Sequence, residues 1–281
     1  MLNFLIVDNI IKEGLKEDAP FGDITTDSII SPTSICKVNL IAKEDGIICG
    51  FPVFKRVFEL LGNVKVEAFK KDGDTVFKGE KIALVTGNTR NVLIGERIAL
   101  NLMQRMSGIA TITKAYADKI VSTNAKVVDT RKITPLYRNL DKYSVLCGGG
   151  ANHRFSLSDS VLIKDNHIDA AGGIVNAIKL ARKNCSFTSK IEVETENKSE
   201  VLEALIAKAD IIMLDNMTPS MVKEMVKLID HKAIVECSGN ITIDNIKDYA
   251  EAGVDYISVG ALTHSFKVLD ISLKELEIIS Q

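Results

Sequence analysis

The chain has 281 residues, with 35 Lys and Arg against 37 Asp and Glu, for a formal net charge of -2. That length holds one large domain or two moderate ones, and 46% hydrophobic with 26% charged residues excludes a disordered or low-complexity chain. The even charge balance argues against a life on nucleic acid or an anionic membrane, and no apolar run nears the roughly 20 residues of a membrane helix.

The opening MLNFLIVDNIIKEGLKEDAP mixes acids into its apolar positions without a basic start, so no signal peptide is expected. Five scattered cysteines (Cys36, Cys49, Cys147, Cys185, Cys237) lack CxxC spacing and read as reduced thiols of a cytoplasmic protein.

Along the chain, Thr25-Thr26 is expected in a helix-to-strand connection. Residues 35–42 alternate as a strand, and so do 64–68. Asp72-Gly73-Asp74 and Lys78-Gly79 carry turn chemistry, and 82–85 closes a small sheet. Ile94, Ile98, Leu102 and Met106 recur every four residues, which predicts one buried helix face, with Ser107-Gly108 expected to end the helix.

Strand–helix alternation follows. Short β-rich runs occur at 126–129, 161–163, 190–193, 211–214, 233–235 and 256–259, and each leads into Asp129, Lys164, Glu194, Asp215, Glu236 or Ser258. The last four of these lie 21, 21 and 22 residues apart, the length of one strand and one return helix. The steady period and six units favour an incomplete (β/α) barrel over an open doubly wound sheet. In either fold the chemistry belongs at the carboxyl ends of the strands.

The stretch 129–167 gathers Arg131, Lys132, Arg138, Lys142, Arg154 and Lys164 with His153 and His167. So many cations in a chain of near-zero charge point to a small, multiply anionic partner, because the guanidinium fork binds two carboxylate or phosphate oxygens at once. Gly148-Gly149-Gly150 permits the backbone angles that close approach to a ligand needs. Glu192, Glu194, Asp215 and Glu236 stand at later strand ends, where acids serve Mg²⁺, ribose hydroxyls or structural ion pairs. The turns Ser238-Gly239-Asn240 and Val259-Gly260-Ala261 offer backbone N–H groups to a phosphate. A Walker loop, GxGxxG, HExxH, zinc spacing and a nucleophile elbow are all missing.

Taken together, several ordered blocks resemble the quinolinate phosphoribosyltransferase family. They are Glu17-Asp18, Gly22-Asp23-Ile24-Thr25-Thr26, Glu96-Arg97 with Leu100-Asn101, and Ser107-Gly108-Ile109-Ala110-Thr111. They continue with Asp129-Thr130-Arg131-Lys132, Gly148-Gly149 with His153-Arg154, Lys164-Asp165-Asn166-His167, Glu192-Val193-Glu194, Leu214-Asp215-Asn216 and Gly260-Ala261-Leu262-Thr263. The resemblance implies an N-terminal α+β sandwich domain, placed at 1–108 with the tail 266–281 packing on it, and an incomplete (β/α) TIM-like barrel at 109–265. It implies transfer of phosphoribose from phosphoribosyl pyrophosphate to quinolinate with Mg²⁺ and loss of CO₂, in a homodimer or larger assembly. Matched residue by residue, Arg131, His153, Arg154 and Lys164 surround the quinolinate carboxylates, and Lys132 lies between quinolinate and the diphosphate. Glu194 and Asp215 face the ribose hydroxyls and Mg²⁺; Ser238, Gly239 and Gly260 hold the 5-phosphate; Arg97 reaches the partner's site. Asn240 replaces the family's usual second glycine, and Asn tolerates left-handed angles. Ile133 and Leu136 depart from the usual loop. Rival readings are a molybdenum-transport-associated paralogue, a nicotinate-using transferase, and a silent nucleotide-binding regulator on the same barrel.

Overall fold

A computed structural model of the chain describes residues 2–280. Helix α1 (Phe4–Asp18) begins where the Asn3 side chain accepts the Leu5 N–H, and it buries Val7 and Ile11. Thr25 and Thr26 do not form a connection to a strand. They open helix α2 (Ile24–Ile29), because the Asp23 carboxylate accepts both of their N–H groups. Strand β1 (Ile35–Ala42) alternates half-buried and buried positions as its sequence predicts. Next come β2 (Gly46–Ile47), α3 (Phe51–Leu61), β3 (Val64–Ala68), β4 (Thr75–Val76) and β5 (Lys81–Asn88).

Helix α4 (Thr89–Lys119) runs on through the expected stop at Ser107-Gly108. Both residues are there for packing. The Ser107 hydroxyl donates to the Cys49 carbonyl and accepts the Cys49 N–H, each at 3.0 Å. A Cβ on Gly108 would lie 2.2 Å from the Lys267 carbonyl oxygen. A glycine chosen for close approach reads in sequence like one chosen to end a helix.

The remaining elements are β6 (Lys126–Val128), α5 (Arg138–Cys147), β7 (Val161–Ile163), α6 (Asp165–Ala171), α7 (Ile174–Asn184), β8 (Ile191–Thr195) and α8 (Lys198–Ile206). They are followed by β9 (Ile211–Asp215), α9 (Pro219–Ile229), β10 (Ile234–Ser238), α10 (Ile246–Glu251), β11 (Tyr256–Ser258), α11 (Ala261–His264) and β12 (Ile271–Ser280).

Two compact units result. One comprises Met1–Lys114, Ile133–Gly149 and Ser265–Gln281; the other comprises Ala115–Lys132 and Gly150–His264. The expected second domain, 109–265, is therefore interrupted, since 133–149, which carries α5, folds into the first unit. The cause is a buried cluster: Leu140 joins a core of Phe54, Phe58, Met103 and Met106, and Asp141 pairs with Arg105 of α4 at 2.9 Å. The first unit's main sheet has the order β12-β1-β5-β3, all antiparallel, so the tail strand pairs with β1.

In the second unit the described residues form a six-stranded sheet of order β6-β11-β10-β9-β8-β7, parallel throughout. Its return helices α7 to α10 keep the βα rhythm of an incomplete barrel. Beside β6 the chain at Ala151 bridges to Val128, and the Asp129 carboxylate accepts the His153 N–H at 3.0 Å. Segment 151–154 is thereby fixed against the end of β6.

Candidate active site

Inward-facing side chains of the parallel sheet line a cavity of about 350 Å³. Its wall includes Arg131, Lys132, His153, Arg154, Lys164, Glu194, Asp215, Glu236 and Ser238, drawn from the strand ends and from segment 151–154. Strand register explains the convergence. Glu194 and Glu236 both lie opposite Met213, and Ser238 lies opposite Asp215, so alternate residues of β8, β9 and β10 reach one interior. Glu236 sits within β10, which continues to Ser238, rather than at the strand end the sequence suggested. A larger cleft of about 520 Å³ beside β7 and α7 takes in Leu157, Leu162 and Leu180 but no comparable set of opposed charges.

The cations are held in place individually. Arg154 donates to the Ser160 carbonyl at 3.0 Å, and burial with the neighbouring Arg131 pulls its pKa down. Lys164 pairs with Glu194 across the cavity. The loop carrying Lys132 is tied twice: its N–H donates to the Thr130 hydroxyl at 3.0 Å, and its carbonyl accepts the Thr263 hydroxyl at 2.8 Å. Arg131 and Lys132 remain exposed. His167 lies outside the cavity wall; its Nδ1 accepts the Lys164 N–H at 3.0 Å and starts α6.

The turns beyond β9 and β10 interlock. Asn216 (φ 54°) donates its backbone N–H to the Ser238 carbonyl at 2.9 Å and its side-chain amide to Asp215 at 2.6 Å. Asn240 does adopt the left-handed angle the turn requires, with φ 53°, and its side chain donates to Asn216 Oδ1 at 3.1 Å. Gly239 has φ 90°, and any Cβ there would sit 2.2 Å from Asn216 Oδ1. Gly260 packs against Lys132, whose Cδ would lie 3.2 Å from a Cβ at that position. Gly239, Asn240 and Gly260 thus shape the rim and are not part of the wall itself.

Arg97 is exposed on α4 in the first unit and is not part of this wall; its neighbour Glu96 is partly buried, which pushes its carboxyl pKa up. Arg138 and Lys142 also belong to the first unit, in α5. Two contributors were not assigned a role from sequence: Thr263, whose hydroxyl braces the Lys132 loop, and Asn216, which orients Asp215. An Asn directly after a strand-end acid is the signal that could have found the second.

Beneath the cations lies a buried cluster. His153 Nε2 is 3.3 Å from Glu192 Oε2 and 3.5 Å from Glu236 Oε2, and the Nδ1 of the same ring accepts the Arg154 N–H at 2.6 Å. Burial and the adjacent Glu192 push Glu236 up to about 7, against the downward pull of His153, Ser258 and Lys164.

Comparison with known proteins shows the family. Residues 23–107 match the quinolinate phosphoribosyl transferase N-terminal domain, and 109–274 match the C-terminal domain. The chain belongs to the quinolinate phosphoribosyl transferase family. A probable nicotinate-nucleotide pyrophosphorylase (carboxylating) of Bacillus subtilis is 44% identical over 97% of this chain and 94% of its own. The Methanocaldococcus jannaschii protein of that name is 47% identical over 94% and 95%. The crystal structure of NadC from Streptococcus pyogenes superposes with a TM-score of 0.96 at 41% identity, covering 100% of this chain and 99% of that one.

Proposed function

We propose that this chain transfers the phosphoribosyl group of phosphoribosyl pyrophosphate to the ring nitrogen of quinolinate and releases the C2 carboxylate as CO₂. The products are nicotinate mononucleotide and pyrophosphate, within NAD biosynthesis. The observation that carries this reading is one cavity in which Arg131, His153, Arg154 and Lys164 converge opposite Glu194 and Asp215, in a member of this family.

The two guanidinium groups and the Lys164 ammonium bind the dicarboxylate. Lys132, on its braced loop, stabilises the charge that develops on the departing diphosphate. The pyridine nitrogen attacks the anomeric carbon as pyrophosphate leaves, with no covalent enzyme intermediate, so positioning and electrostatics supply the rate. The cationic pyridinium then stabilises the electron pair left at C2. The Ser238-Gly239-Asn240 turn and Gly260 hold the 5-phosphate.

Glu194 and Asp215 face the ribose hydroxyls and would hold Mg²⁺. Two carboxylates in one cavity beside a substrate rich in phosphate oxygens are the donor set this ion takes. When bound, Mg²⁺ neutralises diphosphate charge. The working form is a homodimer or larger assembly in the cytoplasm, with Arg97 of the partner subunit completing the quinolinate site. Among the described residues no helix is long and apolar enough to cross a membrane.

The test is release of CO₂ from carboxyl-labelled quinolinate, dependent on phosphoribosyl pyrophosphate and Mg²⁺. Product from nicotinate, or none from either acid, would overturn the reading.

A further inference from the structure

Decarboxylation leaves an electron pair on C2 of the pyridine ring, and that carbon must gain a proton. We infer that Glu236 is the acid that supplies it. The inference rests on the decarboxylating reading above and names a residue to which that reading gives no role.

Glu236 is the one carboxyl in the cavity wall that is fully buried, at 5% side-chain exposure. Glu194 and Asp215, the other two, are half-buried. Register places Met213 between Glu194 and Glu236, so two strand spacings, about 10 Å, separate Glu236 from Glu194. The acid is therefore set apart from Glu194, and Asp215 lies opposite Ser238, two residues further along β10.

The hydrogen-bond inventory argues for a proton on this group. His153 Nδ1 accepts the Arg154 N–H, so the ring's own proton is assigned to Nε2. That single N–H faces two carboxylates, Glu192 and Glu236. With both ionised, two buried carboxylates would converge on that one N–H. The Oε1 atoms of both Glu192 and Glu236 are buried without a hydrogen-bond partner. A proton on one carboxyl relieves the repulsion, and burial beside Glu192 raises the affinity of Glu236 for it. Glu236, unlike Glu192, lines the cavity. A neutral acid there also accommodates a dianionic substrate that an ionised carboxylate would repel. The alternative donors Lys164, Arg131 and Arg154 would surrender the positive charge that holds the substrate.

The step balances. The bond from C2 to its carboxylate breaks and leaves its electron pair on C2, beside the positive ring nitrogen, as CO₂ departs. The Glu236 O–H proton passes to C2, forming the C–H bond of the product and leaving Glu236 as a carboxylate. Water returns the proton once product has gone. Protonation traps the carbanion before CO₂ recombines, so it pulls decarboxylation forward.

The test follows pyrophosphate and CO₂ separately in a single turnover of Glu236→Gln and Glu236→Asp, each checked for native fold. In the wild type the two products are expected to appear together. In Glu236→Gln, quinolinate affinity by calorimetry should stay within about threefold. Pyrophosphate should form at the wild-type rate while CO₂ lags about 10²- to 10⁴-fold and the dicarboxylated mononucleotide accumulates. Glu236→Asp, which keeps an acid on a shorter arm, should recover part of that loss. Coincident release of both products in Glu236→Gln overturns the inference, as does parallel loss of quinolinate binding and of both products. If Glu236→Gln does not fold, Glu236→Asp decides: a CO₂ lag supports the role, and coincidence overturns it. A wild-type protein that releases no CO₂ from quinolinate refutes the functional reading itself.

Discussion

Lys164 shows how one side chain serves both fold and chemistry. Its backbone starts α6 through His167 Nδ1, while its ammonium crosses the cavity to Glu194. Truncation to Ala leaves the backbone contact in place, so Lys164→Ala should remain folded. Charge-assisted hydrogen bonds contribute about 1.5–3 kcal/mol each, so quinolinate affinity should fall roughly 10- to 100-fold; unchanged affinity in calorimetry would remove Lys164 from the site. Glu236 gives a second prediction through its proton. Its native pKa of about 7 lies above the ordinary 4.5 of an unfolded glutamate, so the folded chain binds the extra proton between those values. That contribution is fully present below 4.5 and is lost as pH rises through about 7. The melting temperature of Glu236→Gln should therefore lack a decline that the wild type shows over this window. Parallel melting curves from pH 4.5 to 7 would mean that Glu236 does not titrate there.

At the level of elements, the two interlocked turns after β9 and β10 carry the phosphate prediction. A methyl group on Gly239 would overlap Asn216 Oδ1 at 2.2 Å, on a backbone at φ 90° that side chains resist. Gly239→Ala should raise the KM for phosphoribosyl pyrophosphate at least tenfold and leave quinolinate binding intact; equal weakening of both substrates would refute a local phosphate role. The parallel strands themselves were legible because their residues are apolar at a near-constant spacing, and the period of the barrel follows from that. Segment 133–149 was not. Its Arg138 and Lys142 look like site charges in sequence, yet α5 folds into the first unit through contacts far along the chain. The Arg105 guanidinium, for instance, pairs with Asp141 and stacks 4.9 Å from the Tyr137 ring and 4.7 Å from that of Phe266. Non-local pairings of this kind have no signature in local pattern. Breaking a buried ion pair from one side costs on the order of 3 kcal/mol, so Asp141→Ala should lower the denaturant midpoint clearly without changing the residues that line the cavity. A midpoint within error of wild type would show the pair to be energetically silent.

The whole molecule raises the question of how many chains build one site. Every residue in the cavity wall comes from the second unit, whereas Arg97, which the family resemblance assigns to the partner's quinolinate site, is exposed on α4 of the first. A bland surface role would make Arg97→Ala nearly neutral, since isolated exposed cations contribute little. A role across a dimer interface predicts something different. In an isologous dimer each subunit lends the same arginine to its partner, so both sites gain one more bidentate ligand for a carboxylate. Arg97→Ala and Lys164→Ala homodimers should then each be nearly inactive, one for want of the lent arginine and the other for want of its own lysine. Mixed in equal amounts and allowed to exchange subunits, half of the dimers become hybrids. In each hybrid one site has both defects and the other has neither, so activity should return to about a quarter of wild type. Subunit exchange verified by mass spectrometry, with activity no higher than the average of the two parents, would show that Arg97 does not act across the interface.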